Sequence, residues 1–397
     1  MWERIRLALT RKANLTRPIQ LIVFVTDRCN ARCGHCFNWR ALNQGDEGPA
    51  LDELQKLSAD LGQLLTMGIS GGEPFLRHDL ASVYGIFSNS NGLGEIDVPT
   101  NGLLPERIYD TVREMLAQDS PTLVAVSLSL DGLEETHDQI RGVAGSFEKL
   151  HTTYQRLANL KQEMPQAPLL IKVATTLCNW NIGEIPALIE HVQEEMPAAD
   201  FHNFEIMRGR PKIDQIGRPE IADLEKLKPH IVQAWKSYAF YGRRHRLQSW
   251  LALGLKRYIL DLYIEMLRQE AQIIPCYAAR TSAVVDARSN VYFCELREPI
   301  GNLHDAPLLE LWHSPEAERI RASIERGECY CVHSCFQQKN VFLNPRLWPH
   351  VIFHLITGKL TVPAPSHIQP ASTGAEPGRQ RSANQVHAAP ERKDRSS

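Results

Sequence analysis

The chain reads as an α/β protein with a parallel sheet and a cysteine-rich module behind it, and three observations carry that reading. Short apolar runs alternate with helix-like stretches from Ile19 to about Gly209, the pattern of strands joined by helical crossovers. Three thiols, Cys29, Cys33 and Cys36, directly follow the first apolar run. Five more, Cys276, Cys294, Cys329, Cys331 and Cys335, gather toward the other end.

In chain order, residues 1–18 carry Trp2, Ile5, Leu7 and Leu9 among Arg4, Arg6 and Arg11, a weak amphipathic helix expected to pack on the domain. The core domain is expected over 19–215. Its strands fall at 19–25, 66–70, 95–99, 122–130, 168–176 and 201–207, and its helices at 51–65, 78–89, 105–117, 134–159 and 183–195. Residues 216–274 form a helical connector, with Leu224, Leu227, Ile231 and Trp235 at helical spacing. The basic knot Arg243-Arg244-His245-Arg246 reads as a solvated helix face or bend in preference to a phosphate or partner site. In the module at 275–342, Thr281 to Asp286 and Val291 to Cys294 flank a hairpin turn, Ala287-Arg288-Ser289-Asn290. Leu347 to Leu360, within a segment at 343–360, reads as a helix too short to anchor in a membrane, and packing on the domain is expected. Residues 361–397 hold too few large apolar side chains to offset ordering entropy and are expected to be disordered.

Composition narrows the function classes. At 397 residues, 43% hydrophobic and 23% charged, the chain has an ordinary core and the length of two or three domains. Its net charge of −2 gives no global basic field to recruit nucleic acid or acidic membrane. No apolar run approaches the roughly 18 residues of a transmembrane helix. Nine cysteines, an odd number at metal-like spacing with no secretory signal peptide, argue against a disulfide scaffold and for a reducing cytoplasm. Cys178, apart from both groups, reads as a small buried hydrophobe.

The chemistry sits in loops after the strands: the three cysteines, Gly71-Gly72-Glu73-Pro74, Thr100-Asn101-Gly102, Ser129-Leu130-Asp131-Gly132 and Arg208-Gly209. In parallel α/β folds these loops share one rim. A CxxxCxxC loop can bring three thiolates to one iron–sulfur cubane and leave its fourth iron open to a chelating ligand. The alternatives are zinc, which prefers four ligands and CxxC pairs, and unpaired structural thiols.

The CxxxCxxC run, with His35 before its last cysteine, and the Gly-Gly-Glu-Pro segment resemble the radical S-adenosylmethionine (SAM) superfamily. The resemblance covers about residues 19–340 and includes the molybdenum-cofactor cyclase, anaerobic sulfatase maturases and peptide maturases. It implies a partial (β/α)6 barrel, a [4Fe–4S] cluster on Cys29, Cys33 and Cys36, and SAM on its open iron. It also implies reductive cleavage to a 5′-deoxyadenosyl radical that abstracts hydrogen, with an electron donor such as flavodoxin or ferredoxin. By the same resemblance Gly71, Gly72 and Glu73 run along the methionyl group, Glu73 accepting from its amine. Ser129 is the expected contact to the SAM ribose or carboxylate, Arg141 reaches the carboxylate, and Asn101 is a further polar contact. His35 shields the cluster and positions adenine.

The later cysteines resemble the twitch/SPASM extension, which implies a second, auxiliary [4Fe–4S] cluster drawn from Cys276, Cys294, Cys329, Cys331 and Cys335. Zinc is the alternative for this module. The family's hairpin glycine is replaced by Ser289, followed by Asn290, which tolerates left-handed backbone. The substrate is expected to be a small molecule, since the first strand begins near residue 19 with no peptide-recognition domain ahead of it. A peptide or protein maturase, or a non-catalytic iron–sulfur or zinc scaffold, stands as the alternative.

Overall fold

A computed structural model describes residues 16–238 and 246–363. The expected N-terminal helix up to residue 15, the basic residues 243–245 and the tail from 364 lie outside the described residues.

Six strands pair in sequence order and all in parallel: β1 (Gln20–Phe24), β2 (Thr66–Ser70), β3 (Glu95–Thr100), β4 (Leu123–Ser129), β5 (Leu169–Leu177) and β6 (Phe201–Ile206). Between them run helices α1 (Leu51–Leu61), α2 (Leu80–Ser90), α3 (Pro105–Leu116), α4 (Glu134–Arg141), α5 (Ser146–Glu163) and α6 (Ile185–Glu195). Period-2 alternation divides each strand between two environments. Leu21, Val23, Ile96, Val98, Val124, Val126, Ile171 and Val173 are buried in one continuous core with the helices' apolar residues. Full burial of each such side chain contributes about 1.5–3 kcal/mol. The intervening residues are mixed: Glu95, Asp97, Ser127 and Lys172 are polar, whereas Ile22 and Phe24 join a second apolar cluster. Lys172 Nζ on β5 lies 2.6 Å from Glu95 Oε1 on β3, although β4 lies between them. That reach fits a concave face, the inside of a partial barrel.

The helix expected over 134–159 is two helices. Gly142 and Gly145 take φ of 65° and 72° and break it, a backbone state that costs glycine nothing. The break has a use. A Cβ on Gly142 would stand 2.7 Å from Arg32 O, so the chain passes close here. Arg32 N–H donates to Arg141 O (3.0 Å) and Gly34 N–H to Ile140 O (2.8 Å), which fastens the first cysteine loop to the end of α4.

Helices α7 (Ile221–Ser237) and α8 (Arg246–Gln269) follow β6, and the short α9 (Ala278–Thr281) leads into the second cysteine region. There β7 (Ser282–Val285) pairs in parallel with β1, and β8 (Asn290–Tyr292) and β9 (Gly301–Asn302) follow antiparallel. One nine-stranded sheet results, in the order β6-β5-β4-β3-β2-β1-β7-β8-β9. The cysteine-rich region therefore extends the barrel's own sheet. Helices α10 (Leu308–Trp312), α11 (Pro315–Glu325), α12 (Ser334–Phe342) and α13 (Trp348–Thr357) complete it. At the hairpin the left-handed residue is Ser289 itself (φ 64°), while Asn290 begins β8. Asp286 holds this turn: its Oδ1 accepts from the N–H groups of Arg288 (2.8 Å) and Asn290 (2.9 Å). Such a conformation in a residue with a side chain costs about 1–3 kcal/mol and persists where surrounding bonds enforce it.

Candidate active site and auxiliary cysteine site

The first cysteine loop leaves β1 and is folded back on itself by two polar side chains. Asp27 Oδ2 accepts from the N–H groups of Gln44 (2.6 Å) and Asp46 (3.0 Å). Asn43, at φ 56°, accepts from Cys29 N–H (3.0 Å) and donates to Cys29 O (3.2 Å). Cys29, Cys33 and Cys36 are all half-buried free thiols. Burial first, and the neighbouring thiolates next, push Cys29 up to about 11 and Cys36 up to about 12. Thiols this reluctant to ionise become thiolates when a metal supplies the compensating charge.

Gly71 and Gly72 lie against this loop. Gly72 N–H donates to Thr26 O and Glu73 N–H to Arg28 O, both at 2.8 Å. A Cβ on Gly72 would fall 2.0 Å from Arg28 O, and one on Gly71, which has φ 126°, 2.3 Å from Thr26 O. The close approach that these glycines permit is thus to the protein's own backbone. Glu73 is buried and accepts from Thr100 Oγ1 (2.8 Å), Asn101 N–H (2.8 Å) and Phe75 N–H (3.3 Å). Burial outweighs these bonds and raises its carboxyl to about 7. Asn101 Nδ2 donates to Asn30 Oδ1 (2.8 Å), which ties the end of β3 to the cysteine loop. Ser129 is half-buried at the end of β4, and its hydroxyl makes no hydrogen bond among the described residues.

The residue that organises the rim is Asp131. It is fully buried, and its Oδ2 lies 2.7 Å from Arg141 Nη2 and 3.5 Å from His35 Nε2, while Oδ1 accepts from Thr176 N–H (2.8 Å). Burial would raise its carboxyl, but Arg141 first, then His35 and the buried His137 of α4, hold it below the ordinary carboxylate range. Arg141 in turn donates from Nη1 to Cys33 Sγ (3.7 Å). Burial lowers His35 to about 4, so it is neutral near pH 7. Two buried polar atoms here lack a hydrogen bond among the described residues, His35 Nδ1 and Arg141 Nε, while Asp131 Oδ2 is held by the Arg141 ion pair. Three thiols on one loop, beside the buried Asp131–Arg141 pair and two polar atoms without a hydrogen bond, suit an iron–sulfur cluster that carries a polar ligand.

The second group of cysteines has a different setting. Cys294 is buried in an apolar cluster with Ile22, Phe24, Val284, Leu296 and Phe336, and Cys276, Cys331 and Cys335 pack against it. Cys329 and also Cys276 pack against the main core. Burial lifts Cys276 to about 11 and Cys331 to about 12, with Cys329 and Cys294 also raised. Cys178 is buried in a separate apolar cluster with Ile140, Met207 and Ile216.

Between the two groups runs a buried ionic bridge that sequence reasoning missed. Arg208, after β6, stacks its guanidinium 4.8 Å over Phe37, the neighbour of Cys36. It also pairs with Glu205 (3.0 Å) and with Glu295 (3.0 Å), the neighbour of Cys294. His333 Nε2 shares Glu295 Oε1 at 2.7 Å, and Ser334 Oγ donates to Glu205 (2.7 Å). Burial and Arg208 work to lower His333, yet Glu295 and the Cys335 thiolate hold it up at about 9. Burial works to raise Glu295, yet His333 and Arg208 bring it down to about 2. The one sequence signal was Arg208-Gly209 at a strand end; Glu205 is three positions away, but Glu295 is 87 away and Phe37 lies near the other end of the chain.

Comparison with known proteins identifies two domains in the chain. The Radical SAM superfamily model matches residues 23–188, and the SPASM iron–sulfur cluster-binding domain matches residues 276–336. Fe-coproporphyrin III synthase of Methanosarcina barkeri is 29% identical over 45% of this chain, a span that takes in only 42% of that protein. The AdoMet-dependent heme synthase of the same organism is 25% identical over 79% of this chain and 88% of that one. PqqA peptide cyclase of Rhizobium meliloti is 24% identical over 66% of this chain and 68% of its own length. In fold, the chain is similar to SuiB of Streptococcus suis bound to S-adenosylmethionine, with a TM-score of 0.56 at 15% identity over 80% of this chain and 71% of that one.

Proposed function

Because the chain belongs to the radical SAM superfamily and carries a SPASM iron–sulfur domain, we propose that Cys29, Cys33 and Cys36 hold the SAM-binding [4Fe–4S] cluster and that the rim around them is the SAM site. Cluster and SAM together supply a 5′-deoxyadenosyl radical for hydrogen abstraction. The chain's own residues position the reactants and keep water out. Asp131 fixes Arg141 beside Cys33, and Arg141 is the proposed partner of the SAM carboxylate. Glu73, once ionised, accepts from the SAM amine, while Ser129 offers a free hydroxyl and Asn101 a further polar contact at the rim. Neutral His35 covers the cluster without acting as a base. The observation that carries the reading is three free thiols on one loop beside a buried Asp131–Arg141 ion pair from the end of β4 and α4, with His35 Nδ1 and Arg141 Nε left without a hydrogen bond among the described residues.

The auxiliary cysteines hold one [4Fe–4S] cluster in this reading, and flavodoxin or ferredoxin in the cytoplasm supplies electrons. The substrate is a small polar molecule, matched to a barrel interior lined by Glu95, Asp97, Lys172, Glu205 and Arg208. A peptide is the second reading, favoured by the likeness to a PqqA peptide cyclase. The test is anaerobic reconstitution, reduction and incubation with SAM. Formation of 5′-deoxyadenosine and methionine, with a reduced-cluster EPR spectrum that changes on adding SAM, is the expected result. A spectrum indifferent to SAM would make the protein a scaffold. Candidate small molecules and short peptides are then distinguished by which of them accelerates 5′-deoxyadenosine release.

A further inference from the structure

Helix α13 has two apolar faces, and among the described residues only one is covered. On the inner face Val351 and His354 are buried, and His354 Nε2 lies 2.6 Å from Asp261 Oδ2 of α8. Leu355 fills the space above Gly254 of α8, where a Cβ would come within 1.8 Å of it. So the packing expected of this segment holds for half of the helix. On the outer face Ile352, Phe353 and Ile356 stand 47%, 43% and 75% exposed. Trp250, one turn before Gly254 on the same side of α8, is 48% exposed. Phe342, edge-on to Trp348, is 40% exposed. Single exposed apolar residues need no explanation, whereas several grouped around one helix mark an interaction surface.

The segments that carry this surface are basic in sequence, although Asp261 of α8 lies against His354 and Lys228 on the inner side. From Lys226 to Leu260 the sequence holds eight Lys and Arg and no Asp or Glu; from Cys329 to Ala375 it holds three and none. The whole chain is nearly neutral at −2, so its acids are concentrated elsewhere. Exposed Arg346 and Lys359 flank α13 at its two ends. The residues beyond 363 contain only two large aliphatic side chains, Ile368 and Val386, a poor match for this face. A helix of ten residues is too short to cross a bilayer. A short helix with an aliphatic and aromatic face and cations beside it suits the headgroup region, where it lies in the plane of the membrane.

We propose that the face formed by Ile352, Phe353, Ile356, Trp250 and Phe342 docks on the surface of an anionic lipid bilayer, with Arg346 and Lys359 set against its phosphates. The contact is peripheral and reversible, and nothing spans the membrane. It places the enzyme where membrane-bound substrates or partners are concentrated, and it is independent of the reaction assigned to the barrel.

The test is co-sedimentation of the full-length, reconstituted protein with vesicles. The protein should pellet with phosphatidylcholine vesicles containing phosphatidylglycerol, less with phosphatidylcholine alone, and less in high salt, because exposed charges are screened. The triple variant Ile352→Ser, Phe353→Ser, Ile356→Ser should lose binding about tenfold or more, through lost apolar burial, while its SAM cleavage stays at the wild-type rate. Wild-type protein that stays in the supernatant would overturn the proposal. So would a triple variant that pellets equally, or light scattering that shows a dimer which the variant dissolves. Deletion of residues 1–15 that strengthens vesicle binding would show that the N-terminal segment covers this face in the intact chain, and would overturn it as well.

Discussion

The two cysteine sites are built from opposite materials. The rim around Cys29, Cys33 and Cys36 is polar: Asp27, Asn43, Glu73, Asn101, Asp131 and Arg141 tie loops from different strands together by hydrogen bonds and ion pairs. Four of the auxiliary cysteines, Cys276, Cys294, Cys331 and Cys335, sit against Ile22, Phe24, Val284, Leu296 and Phe336, with Cys294 just past a hairpin that continues from β1. The difference teaches what each site is for. A cluster that admits SAM needs polar groups beside it, and in the proposed site His35 and Arg141 would provide them. A cluster that is fully held by thiolates needs only shielding, which apolar packing supplies.

The sharpest test of that contrast is to remove each set of thiols in turn. Replacing Cys29, Cys33 and Cys36 by Ala should abolish SAM cleavage and remove about half the iron, one cubane of two. Iron analysis and EPR should still find the auxiliary cluster. Replacing Cys276, Cys294 and Cys331 by Ala should remove the other half and leave an EPR signal that still responds to SAM. If the second variant also loses its SAM response, the two sites are not separable. Bound zinc in the first variant, with no iron, would overturn the auxiliary-cluster assignment.

The polar scaffold of the rim should be costly to break. Asp131→Asn leaves the buried Arg141 cation without its counter-charge, and a broken buried pair of this kind costs about 3–5 kcal/mol. Denaturant unfolding of the reconstituted protein measures it. A loss below about 1 kcal/mol, the level of an exposed pair, would mean that the rim does not depend on this ion pair.

The smallest predicted effect concerns proton linkage at Glu73. Its carboxyl is raised to about 7 by burial, from an ordinary value of 4.5. The folded protein thus favours the neutral acid. Stability from this group is full below about pH 4.5 and is lost as pH rises toward 7. Binding of the SAM ammonium needs the carboxylate, so affinity should rise with pH through the same region. Glu73→Gln should flatten that dependence and weaken SAM about tenfold, the loss of one charge-assisted hydrogen bond. SAM titrations followed by EPR on either side of pH 7 read both changes. An unaltered slope in the variant would place Glu73 in a structural role only.

Legibility followed the distance over which each feature is decided. The six strands and the rim cysteines were readable because alternation and loop spacing are local: runs such as Gln20–Phe24 and Leu123–Ser129 pair with their sequence neighbours. The break between α4 and α5 was missed because Gly142 and Gly145 answer to the backbone of Arg32 and to their own turn, not to the apolar periodicity on either side. Ser129 was favoured over Asp131 on resemblance, yet Asp131 organises the rim, since its partners Arg141, His35 and Thr176 come from three other segments.

The sequence by itself determined the kinds of groups present and their local order: thiols at fixed spacing, glycines before an acid, six alternating strand and helix patterns. Those depend on bond geometry and on which face of each element is apolar. Only the tertiary structure decided which groups meet. The Arg208 bridge from Phe37 to Glu295, the pairing of β7 with β1, and the uncovered face of α13 all depend on residues far apart in the chain. Burial and paired charge, which set the protonation of Glu73, Asp131 and His333, exist only once distant segments have closed around them.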